Sequence, residues 1–271
     1  MIPLHITALK KTASVMHTSS GKQIEVWELD VPTDDSFLNN WAVSFRQHYC
    51  ADGEIDLMRS GTGMSRGEYL TQIVFPDQTN APGPSVRSGD FAELLVTDYV
   101  EHVLGYWVTR GKYADKQTRD DSVKGVDILG FKQIDPNSHN PGDVLLAFEA
   151  KALCSVSPYG GQLQSAVDDS SKDFLRRAFT LNATKRRLLS AGEQSNAQRI
   201  ERFQNVADRP YLYRSGAAAV LSDTAYDELE IATKTTTLTH QNENNLELIV
   251  IRGKALMKLV HALYDRAANE A

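Results

Sequence analysis

Between Gly125 and Lys151 the pattern of apolar and polar positions divides into two short apolar runs. The first is Val126-Asp127-Ile128-Leu129-Gly130-Phe131. The second is Asp143-Val144-Leu145-Leu146-Ala147-Phe148-Glu149-Ala150-Lys151. They flank Pro136-Asn137-Ser138-His139-Asn140-Pro141-Gly142, a cluster of turn formers, so the stretch predicts a β-hairpin. Charged groups stand where apolar side chains would pack better: Asp127 interrupts the first run, and Glu149 and Lys151 close the second. Side chains alternate along a strand, which places Glu149 and Lys151 on one face.

The same reading predicts the other elements. Ile2 to Leu9 and Gln23 to Val31 alternate apolar and polar around a Ser19-Ser20-Gly21-Lys22 turn, a second hairpin. Asp34-Asp35-Ser36 can cap a helix in which Phe37, Trp41, Phe45 and Tyr49 recur at i+4, an aromatic stripe read as core. The run Gly61 to Glu68 lacks the Gly-Lys-Ser/Thr ending of a phosphate loop and reads as a turn into a helix near Ser65. Ala81-Pro82-Gly83-Pro84-Ser85 reads as a stiff connector and a boundary between an N-terminal β/α region, 1–80, and a domain over 81–271. After it, Ser88 or Asp90 caps a helix with Phe91, Leu94, Leu95, Asp98, Tyr99, His102 and Val103 on one face and Glu93 in its first turns. A strand over Tyr106–Arg110, a polar connection over Gly111–Lys124 and the central hairpin follow. A long helix then starts near Gln162, with Leu163, Ala166, Val167, Phe174, Leu175, Ala178 and Phe179 as its apolar stripe. Strands are expected at Gly216–Leu221 and Leu246–Ile251, polar and partly helical chain between them, and a final helix over about Gly253–Ala268. The fold class is α/β, a mixed central sheet flanked by helices.

Composition narrows the field modestly. The 271 residues are 41% hydrophobic and 24% charged, enough for a sizeable core. A net charge of −6 and a pI near 5.7 argue against a protein that coats DNA through its overall charge, but leave room for a local basic surface. Cys50 and Cys154 form neither a metal-ligand spacing nor a disulfide framework, which fits a reducing cytoplasm. The start has no basic region followed by a long apolar run, and no apolar stretch is long enough for a membrane span. Residues 171–215 carry ten basic side chains against four acidic ones. Solvated helix faces, a surface for DNA phosphates and an inter-subunit surface all produce such a run.

The charged hairpin suggests chemistry. Asp127 and Glu149 are hard oxygen ligands suited to Mg²⁺ or Mn²⁺, with Glu93 as a further ligand, direct or through water. A cation so held activates water and offsets charge growing on a phosphodiester, and Lys151 can orient the water or stabilise that charge. Glu-x-Lys alone is common by chance. The apolar strand before it and the hairpin-linked Asp127, 22 residues earlier, give it weight. A metal-dependent DNA nuclease is the reading these residues favour. A non-catalytic adaptor that keeps a nuclease fold stays open beside it. His139, in the turn, reads as a solvated loop residue.

The pattern Asp127…Glu149-Ala150-Lys151, between an acidic helix and a following helix, resembles the PD-(D/E)XK nuclease superfamily, which implies an αβββαβ core over about residues 88–221. Val126 stands where the Pro of that motif would be. Some branches use a Gln on the helix after the Lys strand, and Gln162 and Gln164 compete for that role. A closer resemblance runs through Ser88-Gly89-Asp90-Phe91-Ala92-Glu93-Leu94-Leu95, Lys124-Gly125-Val126-Asp127, Phe148-Glu149-Ala150-Lys151 and the Asp168–Leu175 stretch. These are similar to the nuclease subunit of the Hachiman anti-phage defence system. That likeness implies a superfamily 2 DNA helicase partner of the HamB type, which restrains the nuclease until damage or phage interference is sensed. It also implies broad DNA degradation on release, and makes 1–80 the natural helicase-docking region, with Trp27, Phe37, Trp41 and Phe45 as conceivable anchors. A stand-alone restriction or repair nuclease of the same superfamily is the alternative.

Overall fold

A computed structural model of the chain describes residues 2–269. Its centre is one sheet built from β1 (Leu9–His17), β2 (Gln23–Leu29), β3 (Trp107–Val108), β4 (Ile128–Lys132), β5 (Val144–Leu153), β6 (Leu212–Ser222) and β7 (Leu246–Gly253). The spatial order is β1-β2-β7-β6-β5-β4-β3. The four central strands, β2, β7, β6 and β5, run parallel, and antiparallel pairs β1/β2, β5/β4 and β4/β3 complete the two sides. Parallel strands buried on both faces read as near-continuous apolar runs, which is how β7 and the body of β5 look.

Eight helices are assigned among the described residues: α1 (Asp35–Arg46), α2 (Ile55–Arg59), α3 (Arg66–Tyr69), α4 (Gly83–Asp98), α5 (Gln162–Ser190), α6 (Gln194–Glu201), α7 (Glu228–Lys234) and α8 (Leu256–Asn269). No helix among them is long and apolar enough to cross a membrane. One sheet face is covered by α1, α4 and α8, where Trp41, Phe45, Phe91, Leu95 and Val260 meet Leu146 and Phe148 of β5. The other is covered by α5, whose Leu163 and Val167 pack on Ala217, Ala219 and Val250. Farther along α5, Leu181 and Leu188 pack on Leu129 and Leu145. The order α4, β3, β4, β5, α5, β6 brings the ends of β4 and β5, one turn of α4 and the middle of α5 to one place.

The small residues of β6 have a packing reason. Gly216 pairs with Phe148 across the β5/β6 ladder, and a Cβ on Gly216 would lie 2.1 Å from Phe148 Cδ2. Gly216→Val must displace that ring in the buried core, at a cost of about 3 kcal/mol. Urea unfolding should show the loss as a lower midpoint with an unchanged slope.

Several expectations need correction. Leu4–Ala8 is a 3₁₀ turn and the first strand begins only at Leu9, whereas the turn at 19–22 and the second strand from Gln23 stand where expected and close the hairpin. Lys10 and Lys11 and a register shift between Lys11 and Val15 break the alternation that would mark this strand. The α4 helix starts at Gly83, not at a Ser88 or Asp90 cap. The stretch read as a connector supplies its first turn, with Pro84 where a missing N–H costs nothing. After Asp98 the helix continues through a wider turn, Tyr99–Val103. The strand expected over Tyr106–Arg110 has only two paired residues. The final helix starts at Leu256, after the glycine that ends β7.

The α5 stripe holds over Leu163, Ala166 and Val167, which are buried, and fails beyond them: Phe174, Leu175 and Phe179 are 46%, 69% and 81% exposed. From Ala166 the buried track continues through Ser170, Asp173, Leu181, Thr184 and Leu188. An acid occupies a core position of this track, so the apolar count drifted onto the solvent face.

Asp34 caps α1 by accepting from the Ser36 N–H at 3.0 Å, and Phe37, Trp41, Phe45 and Tyr49 are all core. Trp27 is buried too, so the four aromatics named as conceivable anchors pack inside the molecule. Ser65 opens a short helix with a reciprocal capping box to Glu68.

Candidate active site

Glu149 and Lys151 point from β5 toward α5, on the face opposite Phe148 and Ala150. Asp127 lies one residue before β4, where the Ile128–Phe148 pairing carries it beside Glu149. It is fixed by its own carboxylate, whose Oδ2 accepts the Ala150 N–H at 3.1 Å. Asp173 reaches in from α5. Glu149 is the middle of the three acids and is electrostatically coupled to both Asp127 and Asp173.

Two of the three acids are poorly satisfied by the protein itself. Glu149 is 2% exposed and Asp173 fully buried, yet Glu149 Oε1 and both Asp173 oxygens have no hydrogen-bond partner. Such buried orphans are costly. Burial, reinforced by the Glu149 charge, pushes the Asp127 carboxyl up to about 7. Burial and then Asp173 push Glu149 to about 7, and burial, with Asp127 adding to it, does the same to Asp173. Carboxylate oxygens with unused lone pairs have the chemistry that suits a hard divalent cation. One oxygen from each of the three acids does not fall within 4.8 Å of the other two, whereas Asp98, Glu101 and His102 form such a group among the described residues.

Lys151 stands at the rim. Its Nζ lies 3.6 Å from Glu149 Oε2 and 2.8 Å from Asp169 Oδ2. Burial opposes its charge, but Asp169, Asp127 and Glu149 outweigh burial and hold its pKa above the ordinary lysine value. Asp169 also takes Lys172 at 2.7 Å, so it anchors the two lysines at the edge of the site.

Glu93 arrives from α4 on the far side of Asp127. Its Oε2 accepts from the Tyr113 hydroxyl at 2.8 Å and pairs with the Lys112 ammonium, which also donates to the Asp127 carbonyl at 2.8 Å. Burial and the Asp127 charge raise the Glu93 pKa, and Lys112 and Tyr113 work against that rise. Glu93 therefore borders the site with one oxygen committed to protein donors. One turn earlier Asp90 pairs with Lys116 and accepts from the Tyr49 hydroxyl. Two lysines of the 111–124 connection thus lock onto two acids of α4. Glu93, Asp127 and Lys151 line a cleft of about 760 Å³ with Ser88, Cys154 and His261.

All four residues singled out in the sequence lie at this end of the sheet. Asp173 and Lys112 were missed there as members of the site. A polar side chain on the inward track of α5 was the available signal for Asp173. The Lys112/Lys116 spacing matching Asp90/Glu93 was the one for Lys112. Gln162 and Gln164 are engaged elsewhere: Gln162 accepts from the Gly160 N–H at 3.0 Å, and Gln164 from the Thr236 N–H at 2.7 Å while donating to Asp168.

Much of the basic segment serves the fold. Arg202 is buried, donates to Asp143 Oδ2 at 2.7 Å and binds three backbone carbonyls. Arg199 stacks on Trp107, and Lys185 pairs with Glu201.

No curated protein matches the chain. The model of the HamA family matches residues 5–267. With nearly the whole chain inside that match, the protein belongs to the HamA family.

Proposed function

We propose that this HamA protein is a metal-dependent DNA endonuclease and the effector of its defence complex. Family membership makes the chain a component of the Hachiman anti-phage system. The nuclease reading rests above all on one observation: Glu149 stands between Asp127 and Asp173 with three orphaned buried oxygens and Lys151 beside it. The resemblance of Asp127…Glu149-x-Lys151 to the PD-(D/E)XK pattern, and the α4-β3-β4-β5-α5-β6 order, support it further.

In this reading Asp127, Glu149 and Asp173 hold Mg²⁺ or Mn²⁺, with Glu93 at the border. When bound, the cation supplies Lewis-acid chemistry at a phosphodiester. Asp127 is aimed by its bond to the Ala150 N–H, and Lys112 restrains the loop that carries it. Lys151 remains an ammonium, so it offsets negative charge developing on the phosphate. A helicase partner would restrain the chain until phage interference is sensed, after which DNA is degraded.

Purified protein should convert supercoiled plasmid to nicked and linear forms in Mn²⁺ or Mg²⁺, with excess EDTA stopping the reaction. Intact plasmid in both metals, with the protein free of its partner, would reject the nuclease reading.

A further inference from the structure

A second cavity opens on the other side of Asp127, between the 109–127 segment and α5. It encloses about 400 Å³ and shares Asp127 with the acidic cleft. Its floor is apolar, with Leu94 and Leu129. Its rim carries Lys124, Arg176 and Phe179.

Two features of the rim call for an occupant. Phe179 is 81% exposed although it lines the cavity. Its cationic neighbours are only loosely compensated: the nearest carboxylate to Arg176 is that of Asp173 at 3.7 Å, and Lys124 is exposed with no carboxylate partner among the described residues. Arg187, farther along the rim, is held by Asp115 at 2.6 Å. An apolar slot with an exposed aromatic, an unpaired lysine and a loosely paired arginine at its mouth matches a flat base attached to a phosphate. A base inside a duplex is stacked on both sides and cannot enter such a slot.

We propose that this cavity seats one unpaired nucleotide of a DNA strand, next to the phosphate held at the acidic cleft. Its base stacks on Phe179 over the apolar floor, and Arg176 and Lys124 face its phosphates. The proposal rests on the nuclease reading and makes the substrate single-stranded or locally unpaired DNA.

The test is fluorescence anisotropy with a labelled single-stranded oligonucleotide and the matching duplex, in EDTA so that no cleavage occurs. Phe179→Ala should weaken single-strand binding about tenfold, the order expected for one lost base stack. Phe179→Trp should restore it, and duplex binding should not change. Arg176→Ala should weaken binding and lower the salt slope by roughly one counterion. Single-strand affinity unchanged in both alanine variants overturns the proposal. So does equal weakening for strand and duplex, which marks a general phosphate surface. Wild-type strand binding too weak to detect would also overturn it, and would leave the apolar slot to a protein partner. Plasmid cleavage in Mn²⁺ judges the nuclease reading separately. Active wild type with groove variants that bind normally would refute the groove alone.

Discussion

Glu149→Ala combined with Lys151→Ala should reduce metal-dependent DNA cleavage by about 10³-fold or more, while the protein stays folded. The rate loss follows from removing the middle acid of the set and the one ammonium beside it. Charge stabilisation by a cation and a fixed donor is each worth several kcal/mol, and about 1.4 kcal/mol is a factor of ten. The fold should survive because Glu149 is buried without a partner for Oε1, so truncation removes a group that burial penalises. Lys151 is a third exposed, and the loss of its pairs is screened by solvent. Circular dichroism and gel filtration check the fold, and plasmid nicking checks the rate. Cleavage at the wild-type rate by a folded double variant would remove these residues from the reaction.

Asp173→Asn should have an opposite pair of effects, more stability without metal and less binding of it. Burial raises the folded pKa of Asp173 to about 7. An unfolded aspartate titrates near 4 (about 3.9). Between those two values the folded chain holds a proton that the unfolded chain has released. Stability therefore falls as pH rises through that window, and the full penalty is present above it. Asparagine removes the penalty, so the metal-free variant at pH 8 should melt about 4 °C above wild type, and the difference should shrink toward pH 5. Saturating Mn²⁺ should raise the wild-type Tm, because it binds only the folded site, and should raise that of the variant far less. A variant that melts below wild type at pH 8 and keeps the full Mn²⁺ shift would make Asp173 a packing residue.

The charged cluster of the candidate site was more legible in the sequence than its surroundings. Asp127, Glu149 and Lys151 were legible because a charge inside an apolar strand run has no packing reason to be there. The turn formers between the runs also announced the antiparallel β4/β5 pairing. Asp173 was hidden because helical periodicity is read from apolar residues, and the acid itself broke the track that would have located it. The same break put Phe174 and Phe179 inside, whereas their exposure now marks a surface to be explained. Lys112 and Lys116 sat in a connection that looked merely polar. Their partners Glu93 and Asp90 lie a helix and a strand earlier, a pairing that only the folded chain brings together. The N-terminal aromatics were legible as core because their i+4 spacing fits one face of a helix. The start of β1 was not, since a 3₁₀ turn and a strand edge share the same short alternation.

A calorimetric Mn²⁺ titration bears most directly on the proposal that Asp127, Glu149 and Asp173 hold a divalent cation. Wild-type protein at pH 8 should show saturable binding that weakens at pH 6, where protons compete for carboxyls pushed up to about 7. Glu149→Gln should lose that binding. A wild-type titration with no saturable heat at pH 8, or a Glu149→Gln variant that binds Mn²⁺ as tightly as wild type, would contradict the proposed site.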